Sequence, residues 1–265
     1  MARVIIVTGA SRGMGQSMVN VILESSKEDK VVLVARSKDK LQEYVDSLST
    51  EDQLRVHYVA GDLTDPSTIE TLVEETIKKF GKINSVIFNA GILEPIAHID
   101  SVDTKQMRKL FEVNFFSIVE LTQKLIPELR KSAKADGIPA SCVFVSSLAS
   151  NTFIDGWLAY GASKAALNHL AMDLHNEEEL IRSISIDPGV VDTGMQVNIR
   201  QNLGVGMKED AHKTFLELHE QGKLLKPEVP GGVCALLALN GIPEEVSGQY
   251  LEYCDSKLAN YQYLQ

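Results

Sequence analysis

The sequence predicts an α/β fold with a mainly parallel β-sheet and helices on both of its faces. Short runs of β-branched and aliphatic residues alternate with helical patterns along the 265 residues, and this spacing is typical of strand–helix–strand units with right-handed crossovers. A glycine-rich turn follows the first apolar run, and polar or glycine motifs follow most of the later ones. Together these features indicate a doubly wound sandwich of the Rossmann type.

The first half of the chain is expected to supply four strands. The run Val4–Val7 has the continuous apolar character of a strand buried on both faces, and the sequence TGASRGMG separates it from a helical pattern over Met14–Leu23. Asp65, Pro66 and Gly81 suit the N-cap, the first turn and the C-terminal end of one helix. The remaining predictions here are strands at Val31–Ala35, Arg55–Val59 and Val86–Phe88, and a helix at Leu41–Leu48.

A long helix, Thr104–Lys131, opens the second half, and Pro127 should kink it or mark its last turn. The polar stretch Ser132–Pro139 is expected to form a surface loop. No linker composition interrupts the chain, so one domain over residues 1–265 is expected, with a substrate loop region at about 190–225. The further predictions are strands at Ser141–Val145, Ile181–Ile186 and near Tyr250–Tyr253, helices at Leu158–Glu177 and near Gly232–Asn240, and a loop-rich helical region at Asn198–Leu224.

The composition argues against several classes of protein. A formal net charge of −10 disfavours binding to nucleic acid or to an anionic membrane surface. Cys142, Cys234 and Cys254 lack CxxC spacing, which suits buried thiols in a reducing compartment, and the first apolar run is too short for a signal peptide or a membrane span. A cytoplasmic location is therefore expected. His212 and His219 share a helix face without a third ligand, so no metal site is expected.

The turn after the first strand has the features of a dinucleotide-binding loop. Gly9, Gly13 and Gly15 would let the backbone bend tightly and approach a pyrophosphate, whose charge the N-terminus of the following helix favours. An ordinary glycine-containing turn is the alternative. Ligands of such sheets bind beyond the carboxyl ends of the strands. The polar and glycine residues expected at that edge are Gly9, Asp62, Asn89, Ser147 and Gly189.

The end of the second strand indicates which dinucleotide is bound. An acidic residue there would hold a ribose 2′-hydroxyl and repel a 2′-phosphate, but Ala35 is followed by Arg36. Arg36 and Arg12 could converge on a 2′-phosphate with charge-assisted hydrogen bonds, which favours NADP(H) over NAD(H); two solvated arginines are the alternative. Asp62 is placed to accept from an adenine amino group, or is simply a loop carboxylate near the Asp65 helix start.

A tyrosine and a lysine four residues apart, Tyr160 and Lys164, lie in a predicted helix. Positions i and i+4 share one helix face, so the ammonium could approach the phenol and lower the phenol's pKa from its usual value of about 10. Such a pair also occurs by chance on solvated faces. Its significance depends on the other motifs of the chain.

Together, the motifs resemble those of the short-chain dehydrogenase/reductase family over essentially the full length. The family's usual Asn-Asn-Ala-Gly has Phe88 in its first place, a departure that should affect sheet stability more than chemistry. The resemblance implies a seven-stranded sheet in the order 3-2-1-4-5-6-7 and a homo-oligomer, either dimer or tetramer. The matching motifs are TGASRGMG, Asp62-Leu63, Asn89-Ala90-Gly91, Asn114 in EVNFF, Ser147 in VFVSS, Tyr160-x-x-x-Lys164 and Asp187-Pro188-Gly189.

The resemblance assigns the catalytic roles to Asn114, Ser147, Tyr160 and Lys164. Ser147 is preferred to Ser146 because it lies thirteen residues before Tyr160, the family spacing. Ser147 and Tyr160 would donate to the oxygen of a carbonyl that gains negative charge, and Tyr160 would give its proton. Lys164 would also hold the nicotinamide ribose, and Asn114 would anchor a water in a proton relay, unless it only caps a kink.

The predicted cofactor-binding set extends along most of the chain. Its members are Gly9, Ser11, Arg12, Gly13, Met14, Arg36, Ser37, Asp62, Leu63, Asn89, Ala90, Gly91, Tyr160, Lys164, Pro188, Gly189, Val191, Thr193 and Met195. The predicted substrate-binding set is smaller. Its members are Ser147, Trp157, Tyr160, Val190, Met195 and Gln196.

The substrate region is expected to form a mostly apolar pocket that accepts aromatic groups. Asp-Thr-x-Met-Gln, the GKLL segment from Gly222 and the SGQYLEY segment from Ser247 resemble the sepiapterin-reductase branch and its fungal and bacterial benzil-reductase relatives, which reduce vicinal diketones to hydroxyketones. The resemblance implies an NADPH-dependent reductase of a small carbonyl compound such as benzil, giving benzoin. Pterin reduction, with Glu252 as the anchoring carboxylate, is the alternative. A dinucleotide-binding sensor without turnover is a third.

Overall fold

The computed structural model describes residues 2–263 of the chain as one seven-stranded sheet with the order β3-β2-β1-β4-β5-β6-β7. Every pairing between these strands is parallel, so the predicted fold class and strand order are confirmed. The strands are β1 (Val4–Thr8), β2 (Lys30–Ala35), β3 (Val56–Ala60), β4 (Ser85–Phe88), β5 (Ala140–Val145), β6 (Ile181–Asp187) and β7 (Tyr250–Glu252).

The helices of the described range lie mostly where the helical patterns predict them. Leu158–Glu177 has the predicted bounds, and Asp65 caps the helix after β3, accepting from the Ser67 backbone N–H. The helices are α1 (Gly13–Ser25), α2 (Lys38–Ser47), α3 (Thr50–Gln53), α4 (Pro66–Phe80), α5 (Thr104–Phe111), α6 (Ser117–Asp136), α7 (Leu158–Glu177), α8 (Gly194–Asn198), α9 (Glu209–Glu220) and α10 (Glu228–Asn240).

Alternate residues of the strands enter two different cores, one on each face of the sheet. Ile5 and Val7 belong to the core that contains side chains of α1 and α10. Val4 and Ile6 belong to the opposite core, with side chains of α4, α6 and α7. Because both faces are covered, the strand residues are apolar without alternation, as the sequence of β1 predicts.

One predicted boundary is wrong. The stretch 132–139 was expected to be a loop, but α6 continues to Asp136 and ends at Gly137, which adopts the left-handed conformation with φ of 68°. The polar residues are held by the fold: Ser132 accepts a hydrogen bond from the Ile83 backbone N–H, and Asp136 forms an ion pair with Lys82. The polarity of Ser132 and Asp136 therefore marks hydrogen bonding within the fold, whereas Lys134 is exposed.

The predicted helix 104–131 is interrupted by a single π-helical turn. Glu112–Phe116 forms this turn between α5 and α6, so the chain winds more widely where Asn114 occurs. Pro127 lies inside α6 and does not mark its last turn.

The described residues share one sheet, which supports the proposal that the chain is a single domain. Residues 1, 264 and 265 of the predicted domain lie outside the described range. Within residues 2–263, the helices are too short or too polar for any of them to traverse a bilayer.

Candidate active site

A cavity of about 550 Å³ lies at the carboxyl ends of the strands, and it brings the predicted motifs together. Every residue predicted to bind cofactor or substrate lines it. Of the predicted catalytic residues, Ser147, Tyr160 and Lys164 line it, whereas Asn114 lies behind its wall. The structure thus places nearly all of the candidate site residues in one space.

The glycine-rich loop packs too closely for side chains. Gly9 and Gly13 have φ of 68° and 55°, in the region that favours glycine. A β-carbon at Gly15 would lie 2.3 Å from the Gly9 carbonyl oxygen. The loop leads into α1, whose N-cap residue Arg12 makes no side-chain capping bond and whose first turn has no acidic residue. These features leave the helix terminus open to an anion and fit a pyrophosphate.

Two loops at the sheet edge are joined through Thr8 and Asn89. The Thr8 hydroxyl oxygen accepts hydrogen bonds from the backbone N–H groups of Asn89 and Ala90, both at 2.9 Å, and the Asn89 amide donates to the Thr8 carbonyl at 2.9 Å. Asn89 therefore fixes the shape of the glycine loop. Gly91 is close to the catalytic candidates, because a β-carbon there would lie 3.4 Å from Asn114 Oδ1 and 3.7 Å from Lys164 Nζ, which is ordinary van der Waals contact.

Three exposed basic side chains line the cavity. Arg12 and Arg36 are exposed and line it, and so does Lys40, which sequence reasoning missed. Arg12 Nη1 lies 3.9 Å from the place that a β-carbon at Gly194 would take, so its convergence with Arg36 on a 2′-phosphate stays a prediction. Asp62 lines the cavity too, but its Oδ1 also accepts from the backbone N–H and hydroxyl of Thr64, at 3.0 and 2.9 Å. Asp62 therefore shapes its own loop and borders the cavity, and its predicted bond to an adenine amino group stays a prediction.

Helix α7 carries Tyr160 and Lys164 on its buried face. Lys164 Nζ donates to the Val145 carbonyl at 2.6 Å and lies 5.6 Å from the centre of the Tyr160 ring. Burial lowers the pKa of the Lys164 ammonium to about 8. The lysine is therefore held between β5 and the tyrosine, at the floor of the cavity.

The predicted acidification of Tyr160 is wrong for the protein without its cofactor. Burial raises the pKa of the Tyr160 phenol to about 12; a hydrogen bond with Ser147 lowers that pKa, and the Asp187 charge raises it. The i, i+4 spacing brings Lys164 Nζ within 5.6 Å of the ring centre, but desolvation of the phenolate has the largest effect on the phenol pKa. Tyr160 is thus held in its protonated form, the form that a proton donor needs.

The two neighbouring serines have different surroundings. Ser146 is buried and donates to the Asn168 side chain at 2.6 Å, which makes it a structural residue. Ser147 hydrogen-bonds Tyr160 and caps the short turn that follows, accepting from the Ala149 backbone N–H. This arrangement agrees with the predicted preference for Ser147.

Asn114 is fully buried in the π-helical turn, and its amide spans two segments. Its Oδ1 accepts from the Ile92 backbone N–H, and its Nδ2 donates to the Ile92 carbonyl, both at 2.8 Å. Nδ2 also donates to Ser163 of α7 at 3.2 Å. Asn114 therefore positions the loop after β4 against the catalytic helix, and its predicted role in holding a water stays a prediction.

The inner end of the cavity is aromatic. Trp157 and Phe215 stack with ring centres 5.4 Å apart and an interplanar angle of 6°, and Trp157 meets the Tyr160 ring edge-on at 5.5 Å. Sequence reasoning missed Phe215. The apolar spacing of Ala211, Phe215 and Leu218 within α9 could have indicated its inward face.

The structure also locates the remaining candidate residues of the substrate region and the histidines of α9. Val190, Met195, Gln196 and Glu252 all border the cavity. His212 faces the Ile199 carbonyl at 3.1 Å. Nowhere in the described part of the chain do three or more potential metal ligands cluster.

Together, the parallel sheet, the anion-binding glycine loop and the Ser147–Tyr160–Lys164 group define an oxidoreductase that uses a nicotinamide dinucleotide. The family model described as short chain dehydrogenase matches residues 3–204. The chain belongs to the short-chain dehydrogenase/reductase family.

Similar proteins support this assignment. Benzil reductase ((S)-benzoin forming) IRC24 of Saccharomyces cerevisiae is 44% identical, covering 99% of this chain and 100% of the relative. Sepiapterin reductase of Bos taurus is 28% identical, covering 94% of each. The resemblance to both groups is thus confirmed, and the chain is a carbonyl reductase.

Two solved structures have the same fold over nearly the whole chain. The YIR035C short-chain dehydrogenase/reductase from Saccharomyces cerevisiae has a TM-score of 0.93 at 44% identity, covering 99% of this chain and 100% of its own. The KRED1-Pglu enzyme has a TM-score of 0.89 at 50% identity, covering 94% of this chain and 100% of its own.

Proposed function

We propose that the protein is an NADPH-dependent reductase of vicinal diketones, of which benzil, reduced to benzoin, is the model substrate. The aromatic wall formed by Trp157 and Phe215, set against the Tyr160 proton donor, is the observation that carries the proposal. It offers flat apolar surface beside the position where a carbonyl would be protonated. The similarity to IRC24, whose name states benzil reduction, supports the same substrate class.

The preference for NADPH rests on charge. Arg12, Arg36 and Lys40 all border the cavity, and the position after Ala35 lacks the acidic residue that would repel a 2′-phosphate. The glycine loop and the N-terminus of α1 would hold the pyrophosphate. Lys164, together with Pro188, Gly189 and Thr193, would hold the nicotinamide end.

The residues of the chain supply the proton and the charge stabilisation. A nicotinamide cofactor held by these residues would supply a hydride to the carbonyl carbon. Ser147 and Tyr160 donate hydrogen bonds to the carbonyl oxygen, where negative charge develops. The Tyr160 proton then passes to this oxygen, which completes the alcohol, and the neighbouring Lys164 ammonium stabilises the phenolate that remains.

Pterin reduction is the second candidate. Glu252, at the end of β7, is an exposed carboxylate that borders the cavity, as required for an anchor to the amino groups of a pterin. The similarity to bovine sepiapterin reductase favours this alternative. The aromatic wall of Trp157 and Phe215 accounts better for a diaryl substrate than for a polar heterocycle.

The test is NADPH oxidation against benzil, other 1,2-diketones, sepiapterin and simple ketones. Benzil is expected to have the highest kcat/KM, and Tyr160→Phe should reduce its turnover by at least a hundredfold while NADPH still binds. Tyr58→Phe, outside the cavity, is the matched control. Higher kcat/KM for sepiapterin would favour the pterin alternative, and full turnover by Tyr160→Phe would refute the assignment.

The cellular context is proposed on the same basis. Two of the three cysteines, Cys142 and Cys234, are buried as free thiols, which supports a reducing, cytoplasmic compartment. The proposed partner is a small carbonyl compound, with no nucleic acid or membrane. The family resemblance supports a dimer or tetramer, which light scattering would test.

A further inference from the structure

One polar side chain in the cavity wall has an unused donor. Gln196 of α8 is 2% exposed and lines the cavity, and its Oε1 accepts a hydrogen bond from Arg200 Nη1 at 3.1 Å. A guanidinium group can only donate, so this bond fixes which end of the amide is oxygen. The other end, Nε2, is buried and has no hydrogen-bond partner among the described residues.

The position of Gln196 relates this donor to the substrate end of the cavity. Ile199, less than one helical turn further along, belongs to the apolar cluster of Trp157, Tyr160 and Phe215. A buried amide N–H without a partner is unfavourable, and such groups are retained where a ligand supplies the acceptor. Apart from the Tyr160 hydroxyl, which does not bond Nε2, the aromatic and aliphatic side chains of the cluster supply no strong acceptor.

A vicinal diketone presents two carbonyl oxygens in this space. One would accept from Ser147 and Tyr160, and the second needs a donor of its own, because burying an unpaired carbonyl is unfavourable. We propose that Gln196 Nε2 donates a hydrogen bond to this second, non-reacting carbonyl oxygen, and that Arg200 is the positioning residue that orients the amide. Gln196 thereby selects 1,2-dicarbonyl compounds over simple ketones. The inference rests on the proposed reduction of diketones.

The test compares benzil with deoxybenzoin, which has the same two phenyl rings and a methylene in place of the second carbonyl. The ratio of kcat/KM for benzil to kcat/KM for deoxybenzoin measures how much the second carbonyl oxygen contributes to the reaction. In Gln196→Met, which keeps the length of the side chain, this ratio should fall about tenfold, the effect of one neutral hydrogen bond. Gln196→Glu keeps the partner for Arg200 but replaces the donor by a carboxylate, and should lower the ratio further.

Arg200 supplies a second, independent readout. Arg200→Met should lower the ratio by about threefold, because the amide can then rotate, and the change should appear in KM for benzil. Arg200→Lys keeps a donor and should restore most of the ratio. A ratio that both Gln196 variants leave unchanged would overturn the proposal.

Three other outcomes would also overturn it. Trp157 Nε1 is buried without a partner as well, so a ratio that falls in Trp157→Phe but not in Gln196→Met would assign the donor to the indole. Trp157 is the single tryptophan of the chain, so its emission reports NADPH binding in the Gln196 variants. Weakened NADPH binding with an unchanged ratio would assign the amide to the cofactor. A wild-type enzyme that reduces no 1,2-dicarbonyl would refute the proposed function and this inference together.

Discussion

Replacing Lys164 with methionine should abolish activity and yet stabilise the cofactor-free protein. Burial lowers the pKa of the Lys164 ammonium from 10.5 to about 8. Since one pKa unit corresponds to 1.36 kcal/mol, the buried charge destabilises the fold by about 3 kcal/mol at pH 7. Methionine is similar in length, but it loses the hydrogen bond to the Val145 carbonyl, worth about 1 kcal/mol. The expected net gain is about 2 kcal/mol.

The pH dependence tests the origin of this gain. Below pH 8 both the folded and the unfolded wild-type chains carry the charge, so the penalty is complete. Between pH 8 and 10.5 the folded protein has lost the proton and the unfolded chain still binds it, so wild-type stability rises with pH relative to the variant. The advantage of Lys164→Met should therefore shrink by about 2 kcal/mol between pH 7 and pH 10.

Urea denaturation of both proteins without cofactor, followed by circular dichroism at pH 7 and pH 10, measures the difference. Comparison at each pH cancels the titration of other groups that the two proteins share. Exposed Lys124→Met is the control, with an expected change below about 0.5 kcal/mol at either pH. A Lys164→Met protein that is less stable at pH 7, or an advantage independent of pH, would refute the reasoning.

Three further perturbations test other parts of the structure. Arg36→Asp should raise KM for NADPH at least tenfold, since a charge-assisted bond is lost and a repulsive charge is gained; equal effects on NADPH and NADH would exclude Arg36 from the 2′-phosphate site. Phe215→Leu removes the stack on Trp157 and should lower kcat/KM for benzil about fivefold but that for 2,3-butanedione less; a uniform loss would contradict the aromatic-wall interpretation. Arg55→Met should destabilise the fold by about 3 kcal/mol, because buried Arg55 donates to the carbonyls of Leu23 and Ser26 at the C-terminal end of α1; urea denaturation showing a loss below about 1 kcal/mol would contradict this.

Local patterns were sufficient for the catalytic helix and the glycine loop. The Tyr160–Lys164 spacing places both side chains on one face of any α-helix, and the bounds of α7 are as predicted. Gly9, Gly13 and Gly15 follow a buried strand, so their approach to the neighbouring backbone depends on a few consecutive residues. Each of these features depends on residues that are neighbours in the chain, so the sequence alone is sufficient to predict it.

Local patterns were insufficient where contacts join distant segments. The polar residues after Lys131 indicated a loop, but Ser132 and Asp136 bond to the segment before β4, and the helix continues. The π-helical turn contains Asn114, whose amide bonds both the backbone N–H and the carbonyl of Ile92. In both cases the bonded residues are distant in sequence, so no local pattern indicates the contact.

The sequence by itself predicted the α/β fold class and, through the resemblance that its combined motifs carry, the strand order, the nicotinamide dinucleotide and the candidate proton-transfer group of Tyr160 and Lys164, because strand periodicity, the glycine loop and the motif spacings are properties of short segments. Tertiary structure alone decided the chemistry around that group. Burial of Tyr160 raises its phenol pKa, the stacking of Phe215 on Trp157 shapes the substrate end, and Arg200 leaves the Gln196 amide nitrogen unpaired. Desolvation and packing depend on every element around a side chain, and only the folded chain brings those elements together.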